Sequence, residues 1–158
     1  MPGIELTTAI AAPIDRVFDL SRSIDLHTVS TAATGERAIA GVTTGLIGLG
    51  DEVTWRARHF GIWQTLTVRI VAYDRPRHFR DVMVKGAFTR MAHDHYFDAA
   101  GEQTTVRDVF EFMSPLGPLG RIADVTFLGR YMRALLIERN AVIKSVAESA
   151  EWTRFVGR

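Results

Sequence analysis

At 158 residues, with a formal net charge of +1 and no cysteine, the chain fits one domain of ordinary size that needs no disulfide. It has no thiol to act as a nucleophile or to hold zinc or an iron–sulfur cluster. Charges of both signs are scattered, so no field builds up that would draw nucleic acid. Met1-Pro2-Gly3-Ile4-Glu5 lacks the basic segment and apolar core of a signal peptide, and no stretch is long enough to span a bilayer, so a cytoplasmic location without membrane insertion is expected.

Residues 4–10 alternate, with Ile4, Leu6, Thr8 and Ile10 on one side and Glu5, Thr7 and Ala9 on the other, which is the period of a strand. Ala12-Pro13 then supplies a proline suited to a first helical position, and Ile14, Val17 and Phe18 recur at helical spacing until Ser21 and Ser23. A second short helix is expected from about Ile24 to Ser30. Glycine concentrates between Gly35 and Gly50, around Leu46, Ile47 and Leu49, and this run reads as a partly apolar loop or a short irregular strand. A loop at the mouth of a cavity and an ordinary surface crossover both fit it. No Gly-Lys-Ser/Thr closes the run and no Gly-x-Gly-x-x-Gly joins a strand to a helix, which argues against a nucleotide site.

Segments 52–60, 63–73, 78–85, 88–98 and 104–113 are rich in Val, Thr, Phe, Trp and Tyr and are joined by short connections, so they are expected to pair as an antiparallel meander. Trp55, Ala57 and His59 share one face of their strand and are expected inward, with Arg56 and Arg58 outward; Leu66, Val68, Ile70 and Ala72 form the next inward set. After Ser114-Pro115-Leu116-Gly117-Pro118-Leu119-Gly120 the period becomes helical over about 119–150, with Leu128, Tyr131, Met132, Leu135, Val142, Ile143 and Val146 in one stripe. Arg121, Arg130, Arg133 and Arg139 also fall on this helix and read as a solvated basic face. One stripe and one apolar sheet face bury each other most economically when pressed together. The expected fold class is therefore α+β: a curved antiparallel sheet of about six or seven strands gripping a long C-terminal helix, with two short helices after strand one, in a single domain over 1–158.

This order of elements resembles the START-like, helix-grip superfamily, also called SRPBCC, and in particular its polyketide cyclase-like, stand-alone bacterial members. The resemblance rests on Ala12-Pro13-Ile14-Asp15-Arg16-Val17-Phe18 after strand one, on Thr54 to Gly61 in the meander, on His93-Asp94-His95-Tyr96-Phe97 with Asp108 on the following strand, and on the Pro-Leu-Gly-Pro-Leu-Gly turn. It implies a hydrophobic cavity between sheet and helix but no particular substrate. By analogy with an inward acidic position in that superfamily, Phe79, Asp81 and Met83 are taken as the inward face of segment 78–85, which periodicity alone does not decide.

The side chains with chemistry to offer are His27, His59, His78, His93, His95, Asp81 and Asp108. His93 and His95 are two apart on a strand and share a face about 7 Å apart, a spacing that suits a metal pair. Asp108 is the one third ligand in view, so hydrogen-bonded wall residues without metal or cofactor are the expectation. No Gly-x-Ser-x-Gly elbow occurs, which leaves general acid–base catalysis by His93, His95 and Asp108 as the catalytic option, in an enzyme of cyclase or dehydratase type. A hairpin closed by Ala99 to Glu102 would set Phe97 opposite Thr104, His95 opposite Val106, His93 opposite Asp108 and Met91 opposite Phe110, so that His93 and Asp108 interact on the cavity side.

The leading expectation is a domain that binds or carries an apolar small molecule such as a lipid, polyketide or aromatic metabolite. Its walls would be Trp55, His59, Met83, Met91, His93, His95, Phe110 and Phe112, with Tyr131, Met132 and Leu135 from the helix. A partner-binding module, with a homodimer formed through a sheet edge or the basic helix face, is the reading from a third class.

Overall fold

The computed structural model describes residues 3–115, 117–123 and 127–156. Strand β1 (Gly3–Ile10) leads into helices α1 (Ile14–Ser21) and α2 (Ile24–Ser30) and the short strand β2 (Arg37–Gly41). The meander follows as β3 (Glu52–His59), β4 (Ile62–Asp74), β5 (His78–Lys85), β6 (Arg90–Ala100) and β7 (Gln103–Met113). Helices α3 (Gly117–Ala123), α4 (Gly129–Ala147) and α5 (Thr153–Val156) complete the chain. Seven strands make one sheet in the order β1-β7-β6-β5-β4-β3-β2, so only β1 crosses over to lie beside β7. The expected α+β architecture is what forms, and β2 is the irregular strand of the glycine-rich segment, with a register shift between Ala38 and Ala40.

The expected terminal helix is described in two pieces, α3 and α4; α4 stops at Ala147 rather than near Ala150. Residues 124–126 between the pieces, Leu116 in the preceding turn and the side chains of Arg121 and Ala123 lie outside the described residues.

Alternation along β3 buries Val53, Trp55 and Ala57 and turns Arg56 and Arg58 outward, as expected. On β4 the pattern holds through Val68 and Ile70 and then fails, because a bulge lets Ile70 pair with Asp81 but Ala72 with Arg80. The extra residue reverses the faces, so Tyr73, not Ala72, joins the core opposite Phe79. Phe79, Asp81 and Met83 do form the inward set of β5: Phe79 is buried, Asp81 reaches the cavity and Met83 packs on the core.

The β6–β7 hairpin turns on Gly101-Glu102, with Gly101 at φ 63, and pairs Ala100 with Gln103. The register is therefore two residues from the expected one: Phe97 faces Val106, His95 faces Asp108, His93 faces Phe110 and Met91 faces Phe112. A shift of two keeps every side chain on its expected face.

Helices α1 and α2 close one end of the grip. Ser23 caps α2 by accepting from the Leu26 backbone N–H, and Phe18 on α1 meets Tyr73, Phe79 and Phe97 edge-on at centroid distances of 5.5, 5.5 and 5.1 Å. The C-terminal half of α4 is tied down around this plug: Lys144 Nζ donates to the Ala9 carbonyl at 2.8 Å, Arg16 Nη1 to Ala147 at 3.1 Å and Arg139 Nη2 to Ser21 at 3.2 Å. Ile143 and Ala147 are buried there, and Leu136 is buried in the preceding half, whereas Leu135, expected at the centre of the seam, is only half-buried. The cavity lies beneath the stretch of α4 that carries Tyr131, Met132, Leu135, Leu136 and Arg139.

Candidate functional site

A cavity of about 480 Å³ lies between the concave sheet face and α4. Its walls take Val53, Trp55, Ala57 and His59 from β3, Leu66, Val68 and Ile70 from β4, Phe79 and Asp81 from β5, Met91, His93 and His95 from β6, and Phe110 from β7. Helix α4 and the residue before it add Leu128, Tyr131, Met132, Leu135, Leu136 and Arg139. Of the expected wall residues, Trp55, His59, Met91, His93, His95, Phe110, Tyr131, Met132 and Leu135 do line it. Met83 and Phe112 do not: Met83 sits on the flank of the core, and Phe112 is fully buried behind the wall against Phe88 and Phe110. The glycine-rich segment contributes Ile47 to the lining, so it borders the cavity.

One wall is polar. His93 and His95 project from adjacent inward positions of β6 with their rings stacked at 3.7 Å, flanked by Asp81 on β5 and Asp108 on β7. The Nε2–H of His93 donates to Asp108 Oδ1 at 2.8 Å, and the Nε2–H of His95 donates to Asp81 Oδ2 at 2.8 Å. The expected His93–Asp108 pair therefore forms, diagonally across the strands rather than head-on. Asp108 is completely buried and lies behind the histidines instead of on the cavity surface. Its second oxygen accepts from Asn140 Nδ2 at 2.7 Å, and Arg139 Nη1 stands 3.8 Å from the first.

These contacts set the protonation equilibria. Burial alone would raise Asp108, but the His93 hydrogen bond, the His95 imidazole 3.3 Å away and the charges of the two rings hold its carboxyl far below the ordinary range. Asp81 is likewise lowered: burial opposes ionisation, and the His95 hydrogen bond outweighs it. The two imidazoles move apart. Burial, reinforced by the His95 charge, depresses His93 despite Asp108. In His95 burial is outweighed by Asp108 and Asp81, and the group is raised.

Elsewhere on the lining, His59 Nδ1 and the Tyr131 hydroxyl are 2.6 Å apart, and Tyr131 packs on Phe60, which in turn stacks on Phe127. Burial depresses His59 against the pull of Glu36, and burial together with the Glu36 charge raises Tyr131. His27 pairs with Glu36 at 2.6 Å beside Trp55, and His78 pairs with Asp94 on the outer face. Neither takes part in the His93–His95 cluster.

Arg139 and Asn140 are the polar residues that reading the sequence alone misplaces or misses. Arg139 is 6% exposed rather than on a solvated face; Arg130 and Arg133 are exposed as expected. The available signal was spacing: 139 and 140 continue the inward line of 132, 136 and 143, so a polar pair interrupts an apolar stripe facing strands that carry buried carboxylates.

A curved antiparallel sheet holding a long terminal helix over an apolar cavity defines the helix-grip class. The chain belongs to the polyketide cyclase / dehydrase and lipid transport family, which it matches over residues 1–148. No curated protein matches it by sequence. Among solved structures it is similar to the Thermus thermophilus protein TTHA0849, with TM-score 0.74 and 16% identity over 91% of this chain and 95% of that one. It is also similar to major latex-like protein 151 of Panax ginseng, with TM-score 0.69 and 18% identity over 94% and 98% of the two chains. Identities this low speak to the shared fold alone. No helix among the described residues is long and apolar enough to cross a membrane.

Proposed function

We propose that the protein binds and carries one apolar small molecule, of lipid, polyketide or aromatic metabolite type, in the cavity beneath α4. The observation that carries the reading is the cavity itself. Its volume of about 480 Å³ falls in the range of small-molecule sites, roughly 300–1,000 Å³, and its surface is overwhelmingly apolar apart from one convergent polar wall. Filling that space with side chains would have been the more stable solution, because an unfilled cavity forfeits dispersion contacts along its whole lining. A bound apolar molecule restores those contacts, and the histidine wall gives it an orientation by offering hydrogen bonds to a single polar end. The family's printed scope, lipid transport and polyketide cyclisation or dehydration, supports a ligand of this kind.

Native mass spectrometry of freshly purified protein tests this. The expected spectrum holds a one-to-one adduct that organic extraction removes, and the extracted protein binds an environment-sensitive apolar dye. A clean mass before extraction together with no dye binding would overturn the proposal.

A further inference from the structure

We propose that Asp81, His93 and His95 form a binding site for one divalent transition-metal ion of the zinc type, open to the cavity. One nitrogen from each imidazole and one carboxylate oxygen already lie within 4.8 Å of one another. Metal–ligand bonds of about 2.0–2.1 Å set tetrahedral ligand atoms about 3.3–3.4 Å apart, so the present atoms need to approach by at most about 1.5 Å. The 2.8 Å contact between His95 Nε2 and Asp81 has to widen by only about half an ångström to admit the ion. The backbone supports the arrangement: a His-x-His pair on β6 puts both rings on one face, and Asp81 is the register partner of His93 on β5.

The surroundings match what a ligating imidazole needs. A metal-bound histidine donates its other N–H to a carboxylate, which fixes the tautomer and strengthens the ligand. Asp108 stands behind both rings in that position. It holds the His93 Nε2–H, which leaves the Nδ1 lone pair unprotonated and available. The Nδ1 of His95 is the buried side-chain nitrogen without a hydrogen bond among the described residues, yet it stands 3.3 Å from Asp108 Oδ1. Moving the His95 proton to Nδ1 gives that atom a partner and frees Nε2 for the ion. Asn140, donating to Asp108 Oδ2, anchors the outer carboxylate.

Charge points the same way. Asp108 is fully buried and Asp81 largely so, Arg139 is the guanidinium beside them, and an ion bound to the imidazoles takes the place of the proton that the raised His95 holds against the two carboxylates. Three protein ligands leave a fourth position facing the cavity, where the ion would polarise an oxygen of the bound molecule. The outer-face pair His78–Asp94 has no second imidazole and offers no comparable set among the described residues.

The test uses the full chain, treated with chelator, dialysed and titrated with cobalt(II) chloride, which reports nitrogen coordination in the visible spectrum. One equivalent should generate absorption bands of a four- or five-coordinate ion, and an equivalent of zinc chloride should abolish them. Asp81→Asn should weaken binding by about tenfold or more, and His78→Gln should leave it unchanged. If Asp81→Asn fails to fold, the unmodified protein still decides: cobalt should shift the ring protons of His93 and His95 and not those of His78. No cobalt spectrum, shifts centred on another histidine, or binding that survives Asp81→Asn in a folded protein would each overturn the site. Dye binding measured on the same samples separates this from the carrier proposal, since protein that takes dye but no cobalt refutes the metal site alone.

Discussion

Replacing Asp108 with alanine removes the acceptor on which the polar wall is built, and the structure sets the size of the loss. The carboxylate is fully buried and takes hydrogen bonds from His93 Nε2 at 2.8 Å and Asn140 Nδ2 at 2.7 Å. Asn140 keeps a second partner, because its amide also donates to Thr8 Oγ1 at 3.1 Å; His93 Nε2 keeps none. Stranding a buried donor costs about 1–3 kcal/mol, and breaking a buried charged network adds to it, so a total of about 2–4 kcal/mol is expected. For a chain of this length that lowers the melting temperature by about 5–15 °C. Urea unfolding followed by tryptophan fluorescence measures it directly. Asp108→Asn, which keeps the shape and one acceptor oxygen, should fall between the parent and the alanine variant. A midpoint for Asp108→Ala equivalent to less than about 0.5 kcal/mol of change would mean that His93 is solvated and the wall is not a coupled network.

Ile143→Asp sets an unpaired charge in the packed core beneath α4, away from the cavity, and should cost more than about 4 kcal/mol, abolishing the cooperative transition; a soluble variant melting near the parent would show that the inward face of α4 is misassigned. Asp19→Asn probes acid stability. Burial would raise the Asp19 carboxyl, but hydrogen bonds from Arg75 and Arg22 outweigh it and lower it, so its contribution is present above the unfolded value of about 3.9 and is lost as pH falls through the folded one. The variant should be destabilised by at most about 1 kcal/mol at neutral pH, since the partner Arg75 is partly exposed, with the difference vanishing in strong acid; a difference constant down to that range would contradict the assignment.

Most of the fold was readable because its signals are local. Alternation in residues 4–10 and along β3, the switch to helical spacing at Ile14, Val17 and Phe18, and the stripe on the terminal helix each survive without knowledge of their partners. What depended on distant pairing was less legible. The β6–β7 register turned on whether the reversal used four residues or two, and both keep the same faces, which is why the His93–Asp108 contact was foreseen from a register two residues off. The bulge that turned Ala72 out and Tyr73 in left no mark in the alternation of apolar types. Asp81 joined the histidines only once β5 was laid beside β6, and Arg139 read as solvated until the carboxylates across from it were located.

The central claim, that the space beneath α4 is a binding site, is tested most directly by filling it. Ala57 is buried and its side chain borders the cavity, so Ala57→Phe can place a ring in the void rather than in packed core. Titrating parent and variant with the same apolar dye should show saturable one-to-one binding to the parent and at least about a tenfold loss in the variant, with an unchanged or higher melting temperature. A stable Ala57→Phe protein that binds the dye as tightly as the parent would contradict the claim.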